Sequence, residues 1–296
     1  MTGTDIILHA GAPKTGTTSL AYYLWDNEAA LNASGVFFPH RFAMRGDVDP
    51  LHQHLVNSRV VSKERDAVKM ANERLAEILD NKDTRRILIS NESILGEPFE
   101  PGNATFYPQA LRVAPILAEI FDGYKIDVSF TVRDFSEFLP SYYVQLVRRG
   151  YTGSLHQFIE TLDLNDISWQ RPISALQQAF GADNVSVFSY EALGSNPAQF
   201  ADDLFSKRVS ADLPPFSNTE NERNQSFGGF ALRTNVMANR LAEQFPALKR
   251  PASRRRIRRL MRLLSKISFG GKPTLDPTTN SALASQHKAD LYALLD

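Results

Sequence analysis

The stretch from Ile6 to Leu31 constrains this chain more than any other. Ile6-Ile7-Leu8 is a strand-like apolar run, and Leu20 to Leu31 is amphipathic with helical spacing. Only Gly11-Ala12-Pro13-Lys14-Thr15-Gly16-Thr17-Thr18-Ser19 and two flanking residues separate them. A chain passing from strand to helix over so short a loop must curl closely, and Gly11 and Gly16 supply the backbone freedom for that. The hydroxyls of Thr17, Thr18 and Ser19 fall where the helix begins, so they can cap it or face a ligand. First-turn N–H groups and the positive end of the helix dipole make such a junction an anion site. Lys14 adds a mobile positive charge. The loop suits a phosphate or a phosphate-like group.

Further apolar runs follow at intervals. Gly35-Val36-Phe37-Phe38-Pro39 reads as a short strand ended by proline. Ile87-Leu88-Ile89-Ser90, Ile126 to Val132 and Val185-Ser186-Val187-Phe188 read as three more. Helical spacing fills residues 64–80, 109–121, 135–149, 155–161 and 173–180, and from about 197 the chain reads mostly helical. Residues 40–58 read as polar and irregular, and 96–108 as a Gly/Pro-rich loop. Strands alternating with helices predict an α/β fold of three layers around a mainly parallel sheet. The expected organisation is one α/β domain over 1–245 and a helical C-terminal extension over 246–296 packed on it. In such sheets ligands bind beyond the carboxyl ends of the strands. Four predicted strand ends carry polar groups: the Lys14 loop, Glu92, Arg133 and Glu191.

The loop departs from the nucleotide triphosphatase pattern G-x-x-x-x-G-K-[ST]. Its glycines have that spacing, but position 17 is Thr and the lysine stands two residues before Gly16. Pro13-Lys14-Thr15-Gly16-Thr17-Thr18-Ser19-Leu20 instead resembles the 5′-phosphosulfate loop of sulfotransferases, which use 3′-phosphoadenosine 5′-phosphosulfate (PAPS) and release PAP. A second stretch, Thr131-Val132-Arg133-Asp134 to Ser141, sets an Arg at a strand end and a Ser eight residues later. Both side chains can reach one phosphate, Arg by a charge-assisted fork and Ser by its hydroxyl. This spacing is similar to the family's 3′-phosphate segment. Weaker likenesses, individually unspecific, include Ser189-Tyr190-Glu191-Ala192-Leu193 and Asn221-Glu222-Arg223-Asn224-Gln225-Ser226. The resemblance covers about residues 5–240. The Arg-Lys-Gly signature of the cytosolic branch is absent near the C-terminus, so Arg223 and Ser226 stand in as further 3′-phosphate contacts.

The resemblance implies sulfuryl transfer from PAPS to a hydroxyl or amine by in-line displacement. Thr15, Gly16, Thr17, Thr18 and Ser19 would hold the 5′-phosphate, and Lys14 would stabilise the leaving phosphate. Glu92, just past a strand end, is the chosen base; carboxylates serve this role in glycan-modifying members. His52 or His54 is the competing base, since cytosolic members use His. No metal is implied, and no His/Asp/Glu set in the sequence has metal-ligand spacing. Two other readings stand beside this one: a nucleotide kinase or NTPase with a variant phosphate loop, and a catalytically inactive PAP-binding protein.

Composition narrows the classes further. The 296 residues include nineteen Phe and are 43% apolar, enough for a sizeable core. There is no cysteine, which removes disulfides, thiolate catalysis and Cys-based metal sites. The formal net charge is zero, so the molecule as a whole carries no electrostatic preference, and nucleic acid is not an expected partner. Residues 249–272 are the exception. They are rich in Lys and Arg, with Ile257, Leu260, Met261, Leu264 and Ile267 at helical spacing. This basic amphipathic segment is expected to pack on the domain, to lie on an anionic membrane surface, or to bind an anionic acceptor. No stretch has the length of a membrane span, and the N-terminus lacks the features of a signal peptide. The expectation is a cytoplasmic protein, with peripheral attachment to the inner face of a membrane as the variant. The acceptor is open: a lipid, a sugar or a phenolic alcohol, its pocket shaped by loops 40–60 and 94–108, which carry Phe42, Phe99, Phe106 and Tyr107.

Overall fold

Five apolar runs pair, all parallel, into one sheet of order β2-β3-β1-β4-β5. The strands are β1 (Asp5–His9), β2 (Val36–Phe37), β3 (Arg86–Ser90), β4 (Lys125–Val132) and β5 (Val185–Ser189). The computed structural model describes residues 5–41, 48–209, 213–216, 229–244 and 271–295. The early helices are α1 (Thr17–Asp26), α2 (Glu28–Ala33), α3 (Pro50–Asn57), α4 (Glu64–Asp80) and α5 (Ala110–Ile120). The middle of the chain adds α6 (Phe135–Arg149), α7 (Leu155–Glu160), α8 (Gln170–Phe180), α9 (Tyr190–Ser195), α10 (Pro197–Ala201) and α11 (Lys207–Val209). Two more, α12 (Gly229–Gln244) and α13 (Pro277–Leu295), lie toward the C-terminus. The fold is α/β, as the alternation of runs predicts.

The chain divides into two compact units. The first falls within Met1–Arg133, Asp166–Glu220 and Asp290–Asp296 and holds the whole sheet. Register explains its two cores. Ile7 pairs Leu88 of β3, and these side chains join Leu20 and Leu24 of α1, Leu193 of α9 and Phe205 in one buried cluster. The intervening residues point to the opposite face because strand side chains alternate. There Phe130 meets Trp169 and Tyr107, and Phe106 packs edge-on to both of those rings. Helix α8 packs on α5 and lies against β4 and β5. Sheet and helices thus form three layers in this unit.

Chain order makes the ligand position a consequence of topology. From β1 the chain leads out to the β2 edge, and from β4 it leads out to the β5 edge. Neighbouring strands β1 and β4 thus diverge, and the crevice beyond their carboxyl ends is the switch point where α/β sheets bind ligands.

The second unit falls within Asp134–Asn165 and Asn221–Ala289. Asp134 caps α6 by accepting from the Ser136 amide at 2.8 Å. Phe158 of α7, whose start carries a Ser154/Gln157 capping box, stacks against Tyr143 of α6. Asn239 of α12 donates to the carbonyls of Val147 and Tyr151.

Two elements differ from the sequence expectation. Residues 50–57, expected to be irregular, are helix α3. Asp49 accepts from the Leu51 amide at 2.9 Å, and Pro50 occupies the first turn, where its missing N–H costs nothing. Leu51, His52 and Leu55 form its buried face. The amphipathic run to Leu31 is also not one helix: it breaks at Asn27 into α1 and α2.

Candidate functional site

The junction after β1 continues to follow the sheet before it curls. The Ala10 and Ala12 amides donate to Ser129 and Thr131 carbonyls of β4 at 2.8 and 2.9 Å. Gly11 lies between them with little room for a side chain. A Cβ there would stand 3.0 Å from His9 Nε2, 3.1 Å from Thr131 Cβ and 3.3 Å from Thr15 Oγ1. The chain then turns through Lys14 at φ 70°, a left-handed conformation that a side chain disfavours. Gly16, also left-handed at φ 77°, is the N-cap of α1 and has no side chain with which to cap it. The Thr15 hydroxyl instead donates back to the Ala12 carbonyl at 2.5 Å and lies 3.4 Å from the Thr17 hydroxyl. Thr15, Thr17 and Ser19 are buried, while Lys14 and Thr18 are half-buried. The N-cap position is thus taken by Gly16, and none of the three hydroxyls of Thr17, Thr18 and Ser19 occupies it.

Arg133, the first residue after β4, is drawn onto this loop. Its Nη1 donates to the Lys14 carbonyl at 2.9 Å, its guanidinium lies 4.6 Å above the Tyr190 ring, and its own carbonyl accepts from Trp169 Nε1 at 3.1 Å. Tyr190 and Leu193 of α9 also flank Gly16, where a Cβ would come within 2.6 Å of Leu193 Cδ2. Loop, β4 end and α9 thus form one packed group. Glu191 is exposed and accepts from the Ser189 hydroxyl, which caps α9.

Beside β1, the exit of β3 places Glu92 at the same sheet edge. The Asn91 amide donates to the His9 carbonyl at 2.9 Å, and its side-chain oxygen accepts from the Ser93 amide at 3.0 Å. Glu92 is paired with Arg41 at 3.1 Å, and both side chains are 19% exposed. His52 is buried on α3. Its Nε2 lies 2.9 Å from the Pro39 carbonyl and so carries the proton, leaving Nδ1 to face Asn91 Nδ2 at 3.5 Å. Burial pushes its pKa down to about 4, against the opposing pull of the Pro39 hydrogen bond. His54, on the same helix, is half-buried. Ser141 is half-buried on α6 in the second unit. Arg223, Ser226, Phe42 and the basic segment up to residue 270 lie outside the described residues. Phe99, Phe106 and Tyr107 belong to the buried aromatic cluster around Trp169.

Sequence reasoning passed over two residues here. His9 ends an apolar run and reads there as core, and Arg41 sits in a stretch read as irregular. Only spatial neighbours distinguish them: Ser90 and Thr131 for His9, Glu92 for Arg41.

The residues present fit an anionic group of phosphate size. Gly11 and Gly16 put no side chain into the loop, α1 opens there with glycine at its N-cap, and Lys14 and Arg133 bring two cations to the loop. Among the described residues, no group of three or more His, Asp or Glu could hold a metal ion, and no helix is long and apolar enough to cross a membrane.

No family model matches the chain, and no curated protein matches it by sequence. Among solved structures, a sulfotransferase from Alicyclobacillus acidocaldarius is similar with a TM-score of 0.43 at 14% identity, over 84% of this chain and 99% of that one. A retinol dehydratase in complex with androsterone and inactive cofactor PAP is similar with a TM-score of 0.32 at 10% identity, over 78% of this chain and 64% of that one. Scores and identities this low assign neither an activity nor a residue role to this chain.

Proposed function

We propose that the protein is a PAPS-dependent sulfotransferase. The observation that carries the reading is Lys14, held left-handed at the strand-to-helix junction with its carbonyl tied to Arg133. A lysine at that position, with Thr at 17, is the arrangement that resembles a phosphosulfate loop rather than a triphosphate loop.

In this reading the amides of residues 15–19 bind the 5′-phosphate of the donor. Arg133, beside the loop, serves the donor's phosphates, with Ser141, Arg223 and Ser226 as further candidates for the 3′-phosphate. The acceptor oxygen attacks sulfur as the S–O bond to the 5′-phosphate breaks. Glu92 takes the acceptor proton, and the Lys14 ammonium stabilises the charge that grows on the leaving phosphate. What supports Glu92 over His52 is accessibility. Glu92 is partly exposed at the carboxyl edge of the sheet, whereas His52 is buried with its Nε2–H held by Pro39. The acceptor is a small molecule, lipid or glycan bearing a hydroxyl or amine, bound near the β3 exit. The basic segment 249–272 brings the protein to an anionic membrane surface when the acceptor is a lipid, and sedimentation with anionic vesicles at low salt tests that part.

Thermal stabilisation by PAP, compared with ADP and with ATP plus Mg²⁺, tests the reading. A ligand at a hundredfold excess over its dissociation constant adds about 2.7 kcal/mol to stability. PAP well above ADP is the expected result. Stabilisation by ATP–Mg²⁺ with PAP inert would overturn it in favour of the kinase or NTPase reading. PAP binding without turnover on any acceptor points to the inactive binding protein.

A further inference from the structure

His9 lies at the centre of the sheet edge, fully buried, on the middle strand β1. Its register partner on β3 is Ser90, and its ring Nδ1 lies 3.0 Å from the Ser90 hydroxyl. On the other side Nε2 lies 3.2 Å from the hydroxyl of Thr131 in β4. Its ring meets Phe205 edge-on at 5.5 Å, which closes the remaining side. A neutral imidazole donates from one nitrogen and accepts at the other, and a hydroxyl can do either, so both contacts are satisfied in either tautomer. Burial, with Arg41 and Arg208 as facing charges, holds the ring neutral, its pKa lowered to about 3.

The three residues stand next to three different functional segments. His9 precedes Gly11 and the Lys14 loop, Ser90 precedes Asn91 and Glu92, and Thr131 precedes Arg133. Hydrogen bonds across strands at these points set how far apart the segments sit. A Cβ built on Gly11 would stand 3.0 Å from His9 Nε2 and 3.1 Å from Thr131 Cβ, so both side chains border the start of the loop.

We propose that His9 is a positioning residue that couples the donor and acceptor halves of the site, through Thr131 to the Arg133 and Lys14 side and through Ser90 to the Glu92 side. This rests on the sulfotransferase reading. In-line transfer depends on the distance between nucleophile and leaving group, and a misplacement of about 1 Å can cost on the order of a hundredfold there. The two hydroxyl partners should then be separable. Thr131→Val removes the donor-side tie, and Ser90→Ala the acceptor-side tie.

The test measures PAP affinity by calorimetry, and PAP released from saturating PAPS with water as acceptor, well below each variant's melting midpoint. In that reaction the S–O bond to the 5′-phosphate breaks, a water oxygen bonds to sulfur, and PAP, sulfate and protons result. Thr131→Val is expected to weaken PAP at least fivefold and leave the saturated rate within twofold. Ser90→Ala is expected to lower the saturated rate at least fivefold and leave PAP affinity within twofold. His9→Leu should show both losses, with His9→Gln recovering part of each. A purely structural histidine would lower only the melting midpoints, and unchanged affinities and rates would overturn the proposal. Should His9→Leu not fold, the two hydroxyl variants decide alone. If the intact protein does not bind PAP at all, the sulfotransferase reading fails and this proposal with it. PAP binding without the split between Thr131→Val and Ser90→Ala refutes only the role of His9.

Discussion

Arg133 holds Lys14 by its backbone: the guanidinium donates to the Lys14 carbonyl oxygen at 2.9 Å while lying over the Tyr190 ring. The contact anchors a lysine whose φ of 70° is otherwise costly. Arg can make this contact and stack at once because its guanidinium is planar with donors on every edge; Lys cannot. Arg133→Lys is therefore expected to weaken PAP about tenfold, roughly 1.4 kcal/mol, although the charge is conserved. Calorimetry decides this, and a Lys variant that binds like the parent sinks the assignment.

Lys14 itself separates backbone cost from chemistry. A residue with a Cβ in the left-handed region costs about 1–2 kcal/mol relative to one that favours it, and glycine escapes that cost. Lys14→Gly should thus be about 1 kcal/mol more stable than Lys14→Ala in urea unfolding. Both should lose turnover by orders of magnitude, since both lack the ammonium. Equal stability of the two variants would mean that the loop relaxes away from this conformation.

Gly16 carries two constraints that can be told apart. Its φ is 77°, and an added Cβ would stand 2.6 Å from Leu193 Cδ2. Gly16→Ala is expected to destabilise by about 2 kcal/mol, of which the backbone share is about 1. Introducing Gly16→Ala into a Leu193→Ala background should restore only the contact share, a coupling readable in a double-mutant cycle. Additive losses would show that Leu193 yields without cost.

Much of this was legible in the sequence because strands and helices announce themselves by period. The helix expected over 64–80 is observed as Glu64–Asp80, and each of the five strands falls on an expected apolar run. Helix α3 escaped because eight residues with His52, Gln53 and His54 show little periodicity, and its start depends on a single Asp49 cap. The tie between Arg133 and Lys14 escaped for another reason. The two are 119 residues apart, and only the adjacency of β1 and β4 brings them together. His9 is the sharpest case, since a histidine ending an apolar strand is indistinguishable from core until its cross-strand partners are known.

Glu92 offers a test of the chemistry that leaves binding alone. Its carboxylate pairs with Arg41 at 3.1 Å, so Glu92→Gln keeps size and one acceptor while removing the ability to take a proton. General-base catalysis contributes about 10²–10⁴-fold, and turnover should fall by that amount. PAP affinity should change less than threefold, because the proposed reading assigns the donor to the Lys14 loop and Arg133 and not to Glu92. Near-full turnover in Glu92→Gln would move the base to His52 or His54.

Two of the buried histidines, His9 and His52, give the protein a defined acid sensitivity. In the native state the pKa of His9 is lowered to about 3 and that of His52 to about 4, in both cases chiefly by burial, from an ordinary 6.5. Above pH 6.5 both states carry neutral imidazoles, and the histidines impose no pH dependence. As pH falls below 6.5 the unfolded chain takes up protons that the native state refuses, so the unfolded state binds more and stability declines. The slope is about 1.4 kcal/mol per pH unit for each histidine, until pH reaches the native values. Asp166 and Asp276, whose pKa values are lowered by hydrogen bonds with Arg171 and Thr279, add to the loss chiefly below their ordinary 3.8, so the upper part of the window from 6.5 to about 4 reports His9 and His52. Urea unfolding at intervals across that window should show stability falling steadily toward acid. His52→Gln, which can keep a donor for the Pro39 carbonyl without titrating, should flatten the slope by about half. An unchanged slope in that variant would mean that His52 is protonated in the native state within this range, against its burial beside Pro39.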